Sequence, residues 1–170
     1  ENSKNPWDWT LGEKQYFWLK DTLEKSDAKY KFVFAHHLNG NSRGSTKIAS
    51  LLEWGGYNNK GVYEFDTRRP DWDKPVHQLM VDNDVTVFFQ GHDHIFAQDE
   101  LDDVIYQTLP KPAEVIPDRQ SNEQYYEGAD ILTNSGFLQV NVSEECVQID
   151  YIRSYVAGQT DADSTGIVYS

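Results

Sequence analysis

Five histidines, His36, His37, His77, His92 and His94, are the side chains in this sequence best suited to holding a metal ion. Neutral imidazole is a good ligand for zinc, iron, manganese and related ions. Four of the five follow directly on short apolar runs. Lys31-Phe32-Val33-Phe34-Ala35 leads into His36-His37, and Val85-Thr86-Val87-Phe88-Phe89 leads through Gln90 into Gly91-His92-Asp93-His94. In a sheet flanked by helices, strand ends open onto the crevice where ligands bind. His92 and His94 are two residues apart and point to one side of an extended chain, and Gly91 permits a sharp turn out of the strand. Asp93 between them points away from the metals and is placed to orient a ligand histidine as a hydrogen-bond acceptor. A His-x-His pair alone carries little weight; two strand ends bearing imidazoles carry much more. His36, His92 and His94 are therefore the candidate ligands. His37 reads as a wall or substrate-side residue. His77 lies beside Leu79 and Met80 in a helical pattern and reads as a surface or packing histidine.

These histidines need strands to position them, and the pattern supplies both strands and helices. Thr10-Leu11-Gly12-Glu13 predicts a capping box, with Tyr16, Leu19 and Leu23 on one face of a helix over 11–25. Residues 31–35 and 85–89 predict buried strands, and 104–108 a third. A short helix is expected over 46–54, and another starts at Pro75. Residues 39–45 and 55–75 are rich in Gly, Asn, Asp, Ser and Pro and predict loops, the second a long surface excursion that shapes a site. Residues 137–142 and 147–152 alternate and predict a hairpin around 143–145. Residues 157–170 predict a mobile tail. No repeat or linker divides the chain, so 1–170 reads as a single α/β domain.

The 170 residues suffice for one hydrophobic core. Five Trp, ten Tyr and eight Phe argue against disorder, and most of the tryptophans read as core or loop anchors. The net charge of −13 excludes nucleic acid and anionic membranes as expected partners. It also means that a phosphate-handling site needs a local positive source, which a bound metal ion provides. No apolar run reaches membrane-spanning length. Cys146, the only cysteine, reads as a small buried residue rather than a nucleophile. There is no Gly-x-Ser-x-Gly for a serine hydrolase and no phosphate-binding P-loop.

The segment Val85–His94, VTVFFQGHDH, resembles the last signature of the calcineurin-like metallophosphoesterases, the superfamily of the purple acid phosphatases. Phe32–His37, FVFAHH, resembles the signature before it. Trp9–Gln15 with Trp18-Leu19 resembles the helix that precedes the first of these, and Glu100–Pro110 the strand after Gly-His-x-His in secreted bacterial members. The resemblance covers roughly residues 9–155. It implies a four-layer fold, a β-sandwich flanked by helices, of which this chain carries the C-terminal half. It implies that His36, His92 and His94 are ligands of a two-metal centre of zinc, manganese or iron, with His36 and His92 on one metal and His94 on the other. It implies hydrolysis of a phosphorylated small-molecule substrate by a metal-activated hydroxide. His37, Asn39 and Arg43 then fall on the substrate side, Arg43 by its planar fork of donors, and Asp93 behind the ligands. The likeness to secreted members implies an extracellular or periplasmic location.

The family's earlier signatures, Asp-x-His, Gly-Asp and Gly-Asn-His, do not occur in the 170 residues. The bridging carboxylate and the catalytic histidine are therefore absent, and no catalytic residue is assigned within this chain. Alone, it is expected to bind one metal weakly or none, to hydrolyse little, and to associate with itself or with the missing half. Two other readings remain open at this point. One is a degenerate phosphoesterase-like binding module without catalysis. The other is a zinc-stabilised structural domain in which an Asp joins the three histidines.

Overall fold

The computed structural model describes residues 5–36, 38, 42–113, 122–132 and 135–154, and the backbone of 168–169. Their helices are α1 (Glu13–Glu24), α2 (Thr46–Ala49), α3 (Leu52–Gly55), α4 (Phe65–Arg68) and α5 (Val76–Asp82). The strands are β1 (Phe32–Ala35), β2 (Val87–Gln90), β3 (Phe96–Leu101), β4 (Val104–Thr108), β5 (Asp130–Leu132), β6 (Ser135–Val142), β7 (Val147–Ser154) and β8 (Val168–Tyr169). Short 3-10 turns occupy Pro6–Asp8 and Glu123–Tyr125. The architecture is mixed α/β.

Five strands form one sheet in the order β1-β2-β4-β3-β5, and a second sheet has the order β6-β7-β8. β1, β2 and β4 are parallel, with Ala35 opposite Gln90 and Gln90 opposite Thr108. β3 runs antiparallel to both β4 and β5. Alternation along the strands sends Val33, Phe88, Val104 and Tyr106 into a core with Tyr16, Leu23, Trp54, Val76, Leu79 and Met80 from the helical side. Val87 and Phe89 face the other way and pack with Ile149, Leu138 and Val147 of the second sheet. The strand period of two thus makes three layers: helices, the five-stranded sheet, and the β6–β7 hairpin.

Several expectations needed correction. α1 carries Tyr16 and Leu23 inward as predicted, but it has no capping box: Gly12 sits at the N-cap with φ 78°. The Thr10 hydroxyl accepts from the Gly12 amide at 2.9 Å and donates to Glu53 at 2.6 Å. The helix expected over 46–54 is split, because Leu51 is extended and bridges to Tyr57. β1 is not wholly buried: it is the sheet's edge strand, and Phe34 is 73% exposed although its ring stacks on Phe89 at 4.9 Å. Cys146 is exposed in the β6–β7 turn. Of the expected tail, Val168 and Tyr169 pair with β7, and 157–167 lie outside the described residues. His77 is a packing residue, buried with Nδ1 2.7 Å from Tyr106 Oη and Nε2 3.1 Å from Asp102.

The sequence pattern does not predict β3, β5 or β8, and β3 is the longest of them. It joins β4 through Asp102-Asp103, whose φ values of 49° and 65° make the two-residue mirror-image turn that matches strand twist. Such turns favour glycine at the second position. Asp103→Gly is expected to raise the urea midpoint by an amount equivalent to about 0.5 kcal/mol, with the Asp102 contact to His77 kept. A lowered midpoint would mean that Asp103 makes a contact worth more than the strain.

Candidate metal centre

The two apolar runs that carry histidines become neighbouring parallel strands, so β1 and β2 deliver His36 and His92 to the same edge of the sheet. The Gly91 amide donates to the His36 carbonyl at 2.9 Å, which extends the ladder one step past the strands. The His36 and His92 rings then meet edge to face, with centres 5.4 Å apart and planes at 81°. Two imidazoles on one tetrahedral ion, with metal–nitrogen bonds of about 2.0–2.1 Å, have ring centres about 5 Å apart. The spacing of the ring centres, though not the direction of their nitrogens, matches that of two ligands of one ion. His36 is exposed and His92 half-buried, so the pair opens to solvent.

His94 is exposed on the same turn. Among the described residues, no three His, Cys, Asp or Glu side chains come together to hold a metal. The structure thus brings His36 and His92 together and leaves His94 out of their cluster. His37 and Asn39 lie outside the described residues.

The turn that bears the histidines is strained, but not at the glycine. His92 and His94 occupy the left-handed region, with φ 68° and 60°, whereas Gly91 does not. Left-handed backbone costs a non-glycine residue about 1–2 kcal/mol. Nor does the fit require glycine at 91, since a Cβ there would make only an ordinary contact, 3.6 Å from His36 Nδ1.

Asp93, between the two strained residues, is 2% exposed and fully engaged. Arg43 Nη1 donates to Oδ1 at 2.6 Å, and the Gly44 amide and Tyr126 hydroxyl donate to Oδ2 at 3.0 and 2.6 Å. Its amide donates to the Gly91 carbonyl at 2.8 Å, and its carbonyl accepts from Asn122 Nδ2 at 2.8 Å. The carboxylate expected to orient a histidine ring is thus held by the loop that follows His36 and by Tyr126. Arg43, expected on the substrate side, spends one arm of its fork on this carboxylate. Gln90 completes the network, donating to the Gly44 carbonyl and to Thr108 Oγ1, both at 2.9 Å, while Thr108 donates to Tyr126 Oη at 3.2 Å. Burial pushes the Tyr126 hydroxyl well above the usual tyrosine range, and the neighbouring Asp93 carboxylate adds to the rise.

Sequence reasoning missed Gln90, Thr108 and Tyr126. A polar Gln closing the run Val-Phe-Phe-Gln was a usable signal; Tyr126, in a loop after three prolines, offered none.

Beside His36 an open cleft of about 490 Å³ runs along β1, walled by Trp9, Trp18, Phe34 and Trp54, with the exposed Gln15 and the buried Glu53 among its polar lining. No helix among the described residues is long and apolar enough to cross a membrane. Compared with known proteins, the chain matches no family model, and no curated protein matches it.

Proposed function

We propose that this chain carries the histidine-bearing half of a metal-dependent phosphoesterase of the metallophosphoesterase type, built on that family's four-layer fold. The observation that supports this best is the His36–His92 pair, two imidazoles at the ends of adjacent parallel strands at a spacing suited to one shared ion. In this reading His36 and His92 hold one ion and His94 contributes to a second, zinc, manganese or iron being suited to such ligands. Bound there, the metal would supply a water acidic enough to attack a phosphate ester near neutral pH. The chain's own contribution is to fix the imidazoles on rigid strand ends and to offer His37, Asn39 and the free arm of Arg43 to the phosphate of a small-molecule substrate.

The family signatures that carry the bridging carboxylate and the catalytic histidine do not occur in the 170 residues, so in this reading the remaining ligands come from residues outside them. The exposed faces of Phe34, Trp18 and Phe137 suit association with that other half or with a second copy of the chain. The acidic surface and the likeness to secreted phosphatases favour an extracellular or periplasmic setting.

Titration with Co(II) tests the reading. Weak binding of one ion per chain is expected, with the visible absorption of a nitrogen-ligated site. His36→Ala and His92→Ala should each abolish it, while hydrolysis of a generic aryl phosphate by the chain alone stays slight with Mn, Zn or Fe. Absence of saturable binding, or binding indifferent to both substitutions, would sink the proposal.

A further inference from the structure

We infer that Asp93 is a positioning residue for the His36–His92 pair, acting through the backbone rather than by accepting from a histidine ring. The inference takes from the proposal above only what the pair is for; the positioning itself stands on geometry.

All of Asp93's polar groups are committed, and the partners come from four directions: Arg43 and Gly44, Tyr126, Asn122, and the Gly91 carbonyl. Arg43 and Gly44 belong to the segment that leaves β1 through His36. Asp93 belongs to the turn that leaves β2 through His92. One buried carboxylate therefore ties together the two chain segments that carry the two rings. Gln90 makes a second tie between the same segments, from β2 to the Gly44 carbonyl.

The strain indicates why the tie is needed. His92 and His94 flank Asp93 in a backbone region that non-glycine residues occupy only when their surroundings hold them there. The hydrogen bonds to the residue between them provide that hold. Without it the turn is free to relax toward ordinary φ values, which swings the His92 ring away from His36. Gly44 is part of the same fit: its φ is 116°, and a Cβ there would lie 2.8 Å from the Tyr125 carbonyl oxygen, so no other residue brings its amide so close to Asp93.

The experiment reads ring geometry directly, with metal affinity as a second readout. In the full chain, NMR should show a nuclear Overhauser effect between the imidazole protons of His36 and His92. Asp93→Ala should abolish it, and Tyr126→Phe, which removes one hydroxyl, should weaken it, with the signals of the His77 ring unchanged in both. Co(II) affinity should fall about 10–100-fold in Asp93→Ala, the range for partners that orient ligands, and several-fold in Tyr126→Phe. If Asp93→Ala fails to fold, Tyr126→Phe decides. Variants that melt earlier yet, while folded, keep both the Overhauser effect and the affinity would overturn the inference and leave Asp93 a stabilising residue only. If the Overhauser effect disappears as expected but even the unmutated protein binds no Co(II), the positioning is upheld and the metal reading is refuted instead.

Discussion

Glu53→Ala is expected to lower the unfolding free energy by about 3–5 kcal/mol, the range for removing one partner of a buried ion pair. Glu53 is 2% exposed on α3. Its carboxylate accepts from the Thr10 hydroxyl at 2.6 Å, from the Leu11 amide at 2.7 Å and from Arg69 Nη2 at 3.2 Å. Arg69 in turn donates to the Trp7 carbonyl at 2.6 Å and lies over the rings of Trp7 and Trp72, 5.5 and 5.2 Å from their centres. One carboxylate thus gathers the N-terminal segment, α3 and the loop after α4. Its loss takes this acceptor from the half-buried Arg69 guanidinium, the Leu11 amide and the Thr10 hydroxyl together. Urea unfolding should show the shift in midpoint with the slope retained. Glu53→Gln, which keeps shape and one acceptor, should cost less, about 1–3 kcal/mol. A cost below about 1 kcal/mol for the alanine variant would mean that the pair is solvated and behaves as a surface bridge.

The contrast between Thr10 and Glu53 shows where the sequence was readable. Thr10-Leu11-Gly12-Glu13 has the composition of a capping box, and the helix after it is real. The hydroxyl goes elsewhere because a carboxylate 43 residues away competes for it, and no local pattern carries that information. β1, β2 and β4 were legible because each is a short run rich in β-branched and aromatic residues. β3 was not: Phe96–Leu101 reads Phe-Ala-Gln-Asp-Glu-Leu, and its polar half is tolerated only because β4 supplies the pairing and Ser45 and Thr46 supply hydroxyls for Asp99.

The site divides along the same line. His36 and His92 were visible because strand ends converge wherever strands are neighbours, and a parallel pair needs no further coincidence. Asp93 was visible as a residue but not as a tie, since its partners Arg43 and Tyr126 lie 50 and 33 positions away. Periodicity reports what a side chain faces along its own element; it is silent on which distant loop returns to meet it.

Raising the pH above about 10 is expected to unfold the protein steeply, through tyrosines buried in the neutral form. Burial pushes the hydroxyls of both Tyr106 and Tyr126 far above the ordinary value near 10, and these side chains are 0% and 1% exposed. The folded state therefore keeps protons that the unfolded state releases. Stability from this source is fully present below pH 10 and is lost as pH rises beyond it, at about 1.4 kcal/mol per pH unit for each tyrosine. Two such groups give about 2.8 kcal/mol per unit, enough to exhaust a folding free energy of about 5 kcal/mol, the low end of the ordinary range, within about two units. Burial raises Tyr16 in the same direction. Phenolate absorption in the near ultraviolet should then appear together with loss of circular dichroism, and Tyr106→Phe or Tyr126→Phe should each remove about half of the slope. For Tyr126 the coupling has a local cause as well: a phenolate there would face the Asp93 carboxylate at 2.6 Å with no room to part. Its ionisation and the opening of the His92 turn are then a single event. Phenolate signals that grow while the circular dichroism stays native would show instead that solvent reaches these hydroxyls in the folded state, and the tie between the two histidine-bearing segments would be looser than the geometry implies.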